Sequence, residues 1–448
     1  MSPDRLDLQQ HFYDINAIDP SLFDRFDVKR GLRNSDGTGV MAGLTNIANV
    51  HGYVIVDGEK FPDEGRLFYR GYDISDLVDS DDINRRRNFE EIAYLLLMGH
   101  LPSTEELDTL VTVLDDKREL PHGFTASQIM KDASPDLMNC LSRSVLWLYA
   151  ADDLAEDRSP EHEIDTAISL ISRLPRIMVL GYYAMLANYK GDSMIMHRFV
   201  PGQSTAETIL SMLRRNREFT VDEARMLDIM LCLHAEHGGG NNSTFTLRTL
   251  TSADSDAYSA YSAAIGSLKG LRHGGANSMV LAMQREIKEN VKDWTNEGKI
   301  ADYLEKIVRK EAFDRSGLIY GMGHAVYTVS DPRTRICKEN AARLAKDTEF
   351  EAELQLLELV EKLTPLVFNK VKGSNKALCA NVDMYSGFVY SMLGIPEELF
   401  TPLFACARIV GWAAHRFEEI VTGKRIIRPA YKSAVLEEQI LPTLNLPC

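Results

Sequence analysis

The chain has 448 residues, 45% of them apolar and 26% charged, with no biased tract, so it falls among globular proteins long enough to bury most of their apolar surface. Its 65 acidic residues against 50 basic ones leave a net charge of -15, which argues against a general nucleic-acid or anionic-membrane binder; an anionic substrate would need a local cluster of arginines. No apolar run approaches the roughly 18–20 residues of a membrane span, and residues 1–7 carry no basic segment ahead of an apolar core, so a cytoplasmic protein is expected.

Residues 1 to about 40 read as a polar, partly helical arm ending in the turn-rich Asn34-Ser35-Asp36-Gly37-Thr38-Gly39. The most strand-like region follows. Thr45-Asn46-Ile47-Ala48-Asn49-Val50 and Gly52-Tyr53-Val54-Ile55-Val56 lead into Asp57-Gly58 as a turn, then Arg66-Leu67-Phe68-Tyr69-Arg70-Gly71-Tyr72, which suits one or two short hairpins. From Asn88 the pattern turns helical. Phe89, Ile92, Ala93, Leu95, Leu96 and Leu97 make an apolar stripe with Asn88 as its expected cap, and Ser103-Thr104-Glu105-Glu106 reads as the capped start of the next helix. Helical periodicity with Gly/Pro punctuation recurs at 168–189, 221–233, 257–268, 279–291, 301–309, 349–362 and 398–421. The class is therefore all-α, with a minor β-hairpin element near the N-terminus. Linker-like clusters at 270–275 and 386–396 bracket a middle section that suits a smaller inserted helical domain. Six cysteines (Cys140, Cys232, Cys337, Cys379, Cys406, Cys448) are scattered without a Cys-x-x-Cys pair and read as reduced core thiols.

Three stretches carry chemistry. In Leu271-Arg272-His273-Gly274-Gly275-Ala276-Asn277 the histidine sits on a tight turn just ahead of a helix, whose positive end disfavours an imidazolium. A histidine kept neutral can donate to a carbonyl without becoming a charged acid; it can equally do no more than close the turn. Gly321-Met322-Gly323-His324, with Asp331-Pro332-Arg333 downstream, looks like a loop that brings backbone close to a ligand, then a turn that fixes an arginine. An ordinary glycine turn with a surface arginine has the same pattern. Asp383, in Asn381-Val382-Asp383-Met384-Tyr385-Ser386-Gly387, lies in a mostly uncharged segment and suits either a general base or a helix cap. Arg408 on an apolar ridge with Phe404, Ala407, Val410 and Ala414 needs an anionic partner, and Arg333, Arg408 and Arg428 are planar forks suited to carboxylates. His234-Ala235-Glu236-His237 places two histidines on one helix face but lacks the His-Glu-x-x-His order of a zinc hydrolase.

Taken together these motifs resemble the citrate synthase family, from about Asp36 to Pro429, including Arg70-Gly71-Tyr72-Asp73-Ile74 and Ala407-Arg408-Ile409-Val410-Gly411-Trp412. The resemblance implies a mostly helical homodimer, each subunit with a large domain (1–274 and 395–448) and a small domain (275–394) that closes over substrate. It implies a Claisen-type condensation of acetyl-CoA with oxaloacetate and hydrolysis of citryl-CoA, the coenzyme A thioester being a co-substrate and no cofactor being tightly bound. By the same likeness Asp383 removes a methyl proton while His273 donates to the thioester oxygen, and His324 polarises the ketone. His237, Arg333 and Arg408 would hold oxaloacetate, with Arg428 reaching in from the partner subunit. Where the family often has a basic residue four positions after the second histidine, this chain has Thr328. A 2-methylcitrate synthase using propionyl-CoA would need the same apparatus, with one methylene more room.

Overall fold

The computed structural model describes residues 12, 16–34, 37–57, 59–78, 87–373 and 377–434. The expectations made on the rest of the N-terminal arm, on Ser35, Asp36 and Gly58 within their turns, and on Cys448 lie outside the described residues. The chain forms two compact units, Met1–Ala42 with Ile427–Cys448, and Gly43–Ile426. In the first, a short helix at Ser21–Arg25 leads to a turn in which Arg33 bridges Gly39, and the ammonium of Lys432 lies 5.8 Å from the Phe26 ring centre.

The second unit opens with a hairpin of Ala48–Val56 on Glu59–Tyr69, antiparallel with Ala48 opposite Tyr69, and Tyr72–Asp73 adds a short third strand. The hairpin is held to a loop far along the chain. The Gly65 amide donates to Ser330 Oγ at 3.1 Å, and a Cβ at Gly65 would lie 1.9 Å from the Ser330 carbonyl oxygen. Gly52 approaches the Val326 carbonyl in the same way.

The rest is helical, as the periodicity predicts. Ser103 and Glu106 form the expected capping box at the start of Thr104–Lys117. Asn88 is a helical residue rather than a cap: the amides of Asn88 and Phe89 donate to the carboxylate of Asp228, 140 positions downstream in the case of Asn88, so a tertiary contact does what a local side chain was expected to do. Helices Pro160–Met185, Val221–His234 and Phe400–Thr422 bury residues on nearly every face and form the centre of the core. The helices Ala276–Asn290, Glu297–Val308, Pro332–Ala345, Glu351–Lys372 and Asp383–Met392 pack on one another. The five described cysteines are buried and form no disulfide. Among the described residues no helix is long and apolar enough to cross a membrane.

Candidate active site

The two glycines of the 321–324 loop take positive φ (82° and 90°), which lets the loop lie against the segment 379–381. Met322 bridges Ala380; the Gly323 amide donates to the Cys379 carbonyl (2.7 Å), and the Asn381 amide to the Gly321 carbonyl (2.9 Å). Asn381 then works in two directions, its Nδ2 donating to the Gly323 carbonyl (2.8 Å) and its Oδ1 accepting from the Asp383 amide (3.0 Å). One short pairing thus fixes His324 and the start of the Asp383–Met392 helix together. Asp383 caps nothing with its side chain. Burial pushes its carboxyl up to about 6, against the pull of the Arg333 charge.

His324 Nδ1 accepts from the Val326 and Tyr327 amides, both at 3.1 Å, which leaves the proton of the neutral ring on Nε2. Its ring stacks on Tyr327 with centres 4.6 Å apart and meets the His237 ring edge-on at 5.1 Å. His237 is buried, its pKa is driven well down by burial and by the Arg333 charge, and its Nε2 has no hydrogen-bond partner among the described residues.

Arg333 is a helical residue rather than part of a turn: Asp331 caps Pro332–Ala345 by accepting from the Arg333 amide. The same carboxylate takes two bonds from the guanidinium, at 3.1 and 2.7 Å, so Arg333 comes with its own counter-charge. Arg408 differs. It is fully buried, its Nε donates to the His234 carbonyl at 2.6 Å, and its two terminal nitrogens have no hydrogen-bond partner among the described residues. Burial pulls it down to about 10. Phe404, one turn earlier, lies 4.7 Å from the guanidinium carbon, and its ring also faces His234 (4.5 Å) and His273 (6.4 Å).

His273 sits in the turn ahead of Ala276–Asn290, as the sequence predicts, with its amide on the Gly270 carbonyl. Its pKa falls to about 4, and the first cause is burial, followed by the Arg408 charge; the expected direction holds with a different leading cause. Its Nε2 lies 3.1 Å from Ser243 Oγ, which also accepts from Trp412 Nε1 (3.2 Å). Arg408 therefore exerts its field on Asp383, His273, His237 and His234 alike. Arg428 belongs to the other unit, on an exposed stretch.

Sequence reading did not find Ser243, Tyr327 or Asp331 as members of this cluster. Only Asp331 had a local signal, standing directly before Pro332 at a helix start. His234 Nδ1 faces the Met230 carbonyl at 2.8 Å, and no group of three or more metal-ligating side chains occurs among the described residues. What the cluster can do is abstract a proton with a carboxylate whose pKa is raised to about 6, beside imidazoles held neutral by burial and a buried guanidinium.

The family model "Citrate synthase, C-terminal domain" matches residues 35–430. The chain is 34% identical over 413 residues to the citrate synthase of Haloferax volcanii, covering 90% of this chain and 94% of that one. It is 32% identical to the 2-methylcitrate synthase of Shewanella oneidensis (85% and 92%). Among solved structures it resembles the ternary complex of carboxymethyl coenzyme A and oxaloacetate with the citrate synthase of Thermoplasma acidophilum, at TM-score 0.74 and 26% identity over 92% of this chain and 98% of that one. With a family match over most of its length and the helical fold that goes with it, the chain belongs to the citrate synthase family of acyl-transferring enzymes.

Proposed function

We propose that the chain condenses acetyl-CoA with oxaloacetate and hydrolyses citryl-CoA to citrate and CoA. One observation carries the reading: Arg408 is buried, its charge acts on His234, His237, His273 and Asp383, and both its terminal nitrogens lack an acceptor among the described residues although Glu236 offsets part of the charge. A guanidinium in that setting calls for a carboxylate ligand, and a small diacid supplies it. Asp383 takes a proton from the thioester methyl, and His273, neutral at any pH well above 4, donates to the thioester oxygen. That role requires the proton on Nδ1, so that Nε2 takes the one Ser243 hydroxyl proton in competition with Asn241 Oδ1, which lies 2.9 Å from the same Oγ. The enolic carbon attacks the ketone carbon of oxaloacetate, whose oxygen is protonated from His324 Nε2; water then cleaves the thioester and releases the CoA thiol. His237, Arg333 and Arg408 hold oxaloacetate, and Arg428 completes the neighbouring site of a homodimer. The division into a large domain (1–274, 395–448) and a closing small domain (275–394) belongs to the same reading, supported by the mutual packing of the five helices from Ala276 to Met392. Closure would keep water from the enolic intermediate. Coenzyme A enters as a co-substrate, no cofactor is tightly held, and the protein works in the cytoplasm.

The test is thiol release from acetyl-CoA and from propionyl-CoA, each with oxaloacetate. Acetyl-CoA should be preferred, and Asp383→Asn should lose on the order of 10² to 10⁴ in kcat while still binding oxaloacetate. Faster turnover of propionyl-CoA would favour a 2-methylcitrate synthase, and undiminished turnover by the variant would remove Asp383 from its role. For Arg428, mixed dimers of Arg428→Ala and His273→Ala chains should recover activity that neither homodimer has. Failure to complement would place Arg428 outside the neighbour's site.

A further inference from the structure

Away from this cluster, the helices Val221–His234 and Pro332–Ala345 line a pocket of about 130 Å³ that opens to solvent on one side. Its polar lining is Arg225 and Asp222 from the first helix and Arg343 and Asn340 from the second, over a floor of Met226 and Ile229. Two guanidiniums against one carboxylate leave the lining net positive. Arg225 Nη2 is buried without a hydrogen-bond acceptor among the described residues. Arg343 Nη2 donates to Asn340 Oδ1 (2.6 Å), whose own Nδ2 is tied to the Ile336 carbonyl (2.9 Å), so the second fork is aimed by a fixed neighbour. Among the described residues neither arginine is in a salt bridge, in a chain where Arg214, Arg248, Arg333 and Arg416 each have one.

We propose that this cavity binds a small oxyanion of phosphate type, free or as the terminal phosphoryl group of a nucleotide, bridged between Arg225 and Arg343. A buried guanidinium nitrogen without an acceptor is costly, and a tetrahedral oxyanion is a ligand that two guanidiniums lining one small pocket can share. The site is also placed to act at a distance. Arg225 and His234 are nine residues apart on one helix, about 14 Å at the usual rise. The other helix begins at Pro332, beside Arg333. Cys337 and Met230 touch between the two helices, sulfur to sulfur at 3.6 Å. An anion at one end fastens together the two elements that carry Arg333 and the His234–His237 segment at the other, and so shifts the affinity for the diacid.

Calorimetric titration of the intact protein with inorganic phosphate, at ionic strength held constant with chloride, tests the site. Binding should weaken about tenfold or more in Arg225→Gln and in Arg343→Gln, and tighten severalfold in Asp222→Asn, which removes a like charge from the rim. Arg343 and Asp222 are exposed, so these two variants should keep the wild-type Tm in chloride, and they decide the matter if Arg225→Gln does not fold. ADP in place of phosphate separates the sources: binding at least tenfold tighter assigns the nucleotide, and equal or weaker binding assigns the free anion. Phosphate should also change the affinity for oxaloacetate about fivefold or more in wild type and not in Arg343→Gln. Binding that is absent, or equal in all variants, overturns the site, and an oxaloacetate affinity indifferent to phosphate overturns the coupling.

Discussion

Arg408 and Arg416 stand eight residues apart on the helix Phe400–Thr422, and both are fully buried, at 0% and 1% exposure. Arg416 is surrounded by acceptors: Glu163 takes two bonds (2.7 and 2.6 Å), and Thr251 Oγ1 and the Ser255 carbonyl take one each, both at 3.1 Å. Arg408 hydrogen-bonds one backbone carbonyl; the buried Glu236 answers part of its charge without bonding it, being engaged by His415 and the Gly238 amide, and its other surroundings are imidazoles, an aromatic ring and the Asp383 carboxyl. Two copies of one residue type on one helix thus separate a guanidinium whose hydrogen-bond acceptors were folded in with it from one whose terminal donors find no acceptor among the described residues. Burial alone does not distinguish them; the count of satisfied donors does.

The largest effect on stability should come from breaking the complete pair. Arg416→Leu leaves Glu163 buried without its partner and should cost about 3–5 kcal/mol in urea unfolding, most of it regained when Glu163 becomes Met as well, because removing both charges avoids the stranded one. A cost that persists in the double variant would mean that packing, not charge, sets the penalty. At the incomplete site the sign should reverse. Arg408→Leu should weaken oxaloacetate binding by about 2–5 kcal/mol in a calorimetric titration while leaving the unfolding midpoint unchanged or higher. A loss of stability equal to that of Arg416→Leu would erase the contrast.

The smallest effect concerns Asp383. Its folded pKa of about 6 lies above the ordinary 3.8, so the folded state holds the proton more tightly than the unfolded one. Its ionisation therefore costs no stability below pH 4 and at most about 2–3 kcal/mol above pH 6. Asp383→Asn should accordingly be more stable than wild type at pH 8 and equal to it at pH 4, as read by urea unfolding at the two values. The proposed base would then be a group that the fold holds at a cost.

Much of this was legible in the sequence, for physical reasons. The core helices have apolar residues at helical spacing over many turns, and Ser103–Glu106 is a local signal with a local effect. His273, His324 and Asp383 stand out because glycines and short uncharged segments are unusual surroundings for such side chains. What could not be read depends on contacts distant in sequence. The pairing of 321–323 with 379–381 is too short to leave a periodicity, the Asp228 carboxylate caps a helix 140 positions away, and the Ser243 hydroxyl looks like any serine until Trp412 and His273 converge on it. The depression of the His273 pKa was anticipated from the helix end, a local feature, whereas its leading cause is burial by the whole fold.

The contact of Gly65 with Ser330 gives the small sheet a use beyond covering the core. With its Cβ position 1.9 Å from the Ser330 main-chain oxygen, even an alanine there must shift the hairpin or the loop that carries His324, so a substitution more than 250 positions away in the chain can re-aim that imidazole without altering any group in its cluster. For anyone wishing to move His324 without replacing it, the stem of the hairpin is a remote adjusting screw, and glycine is its neutral setting.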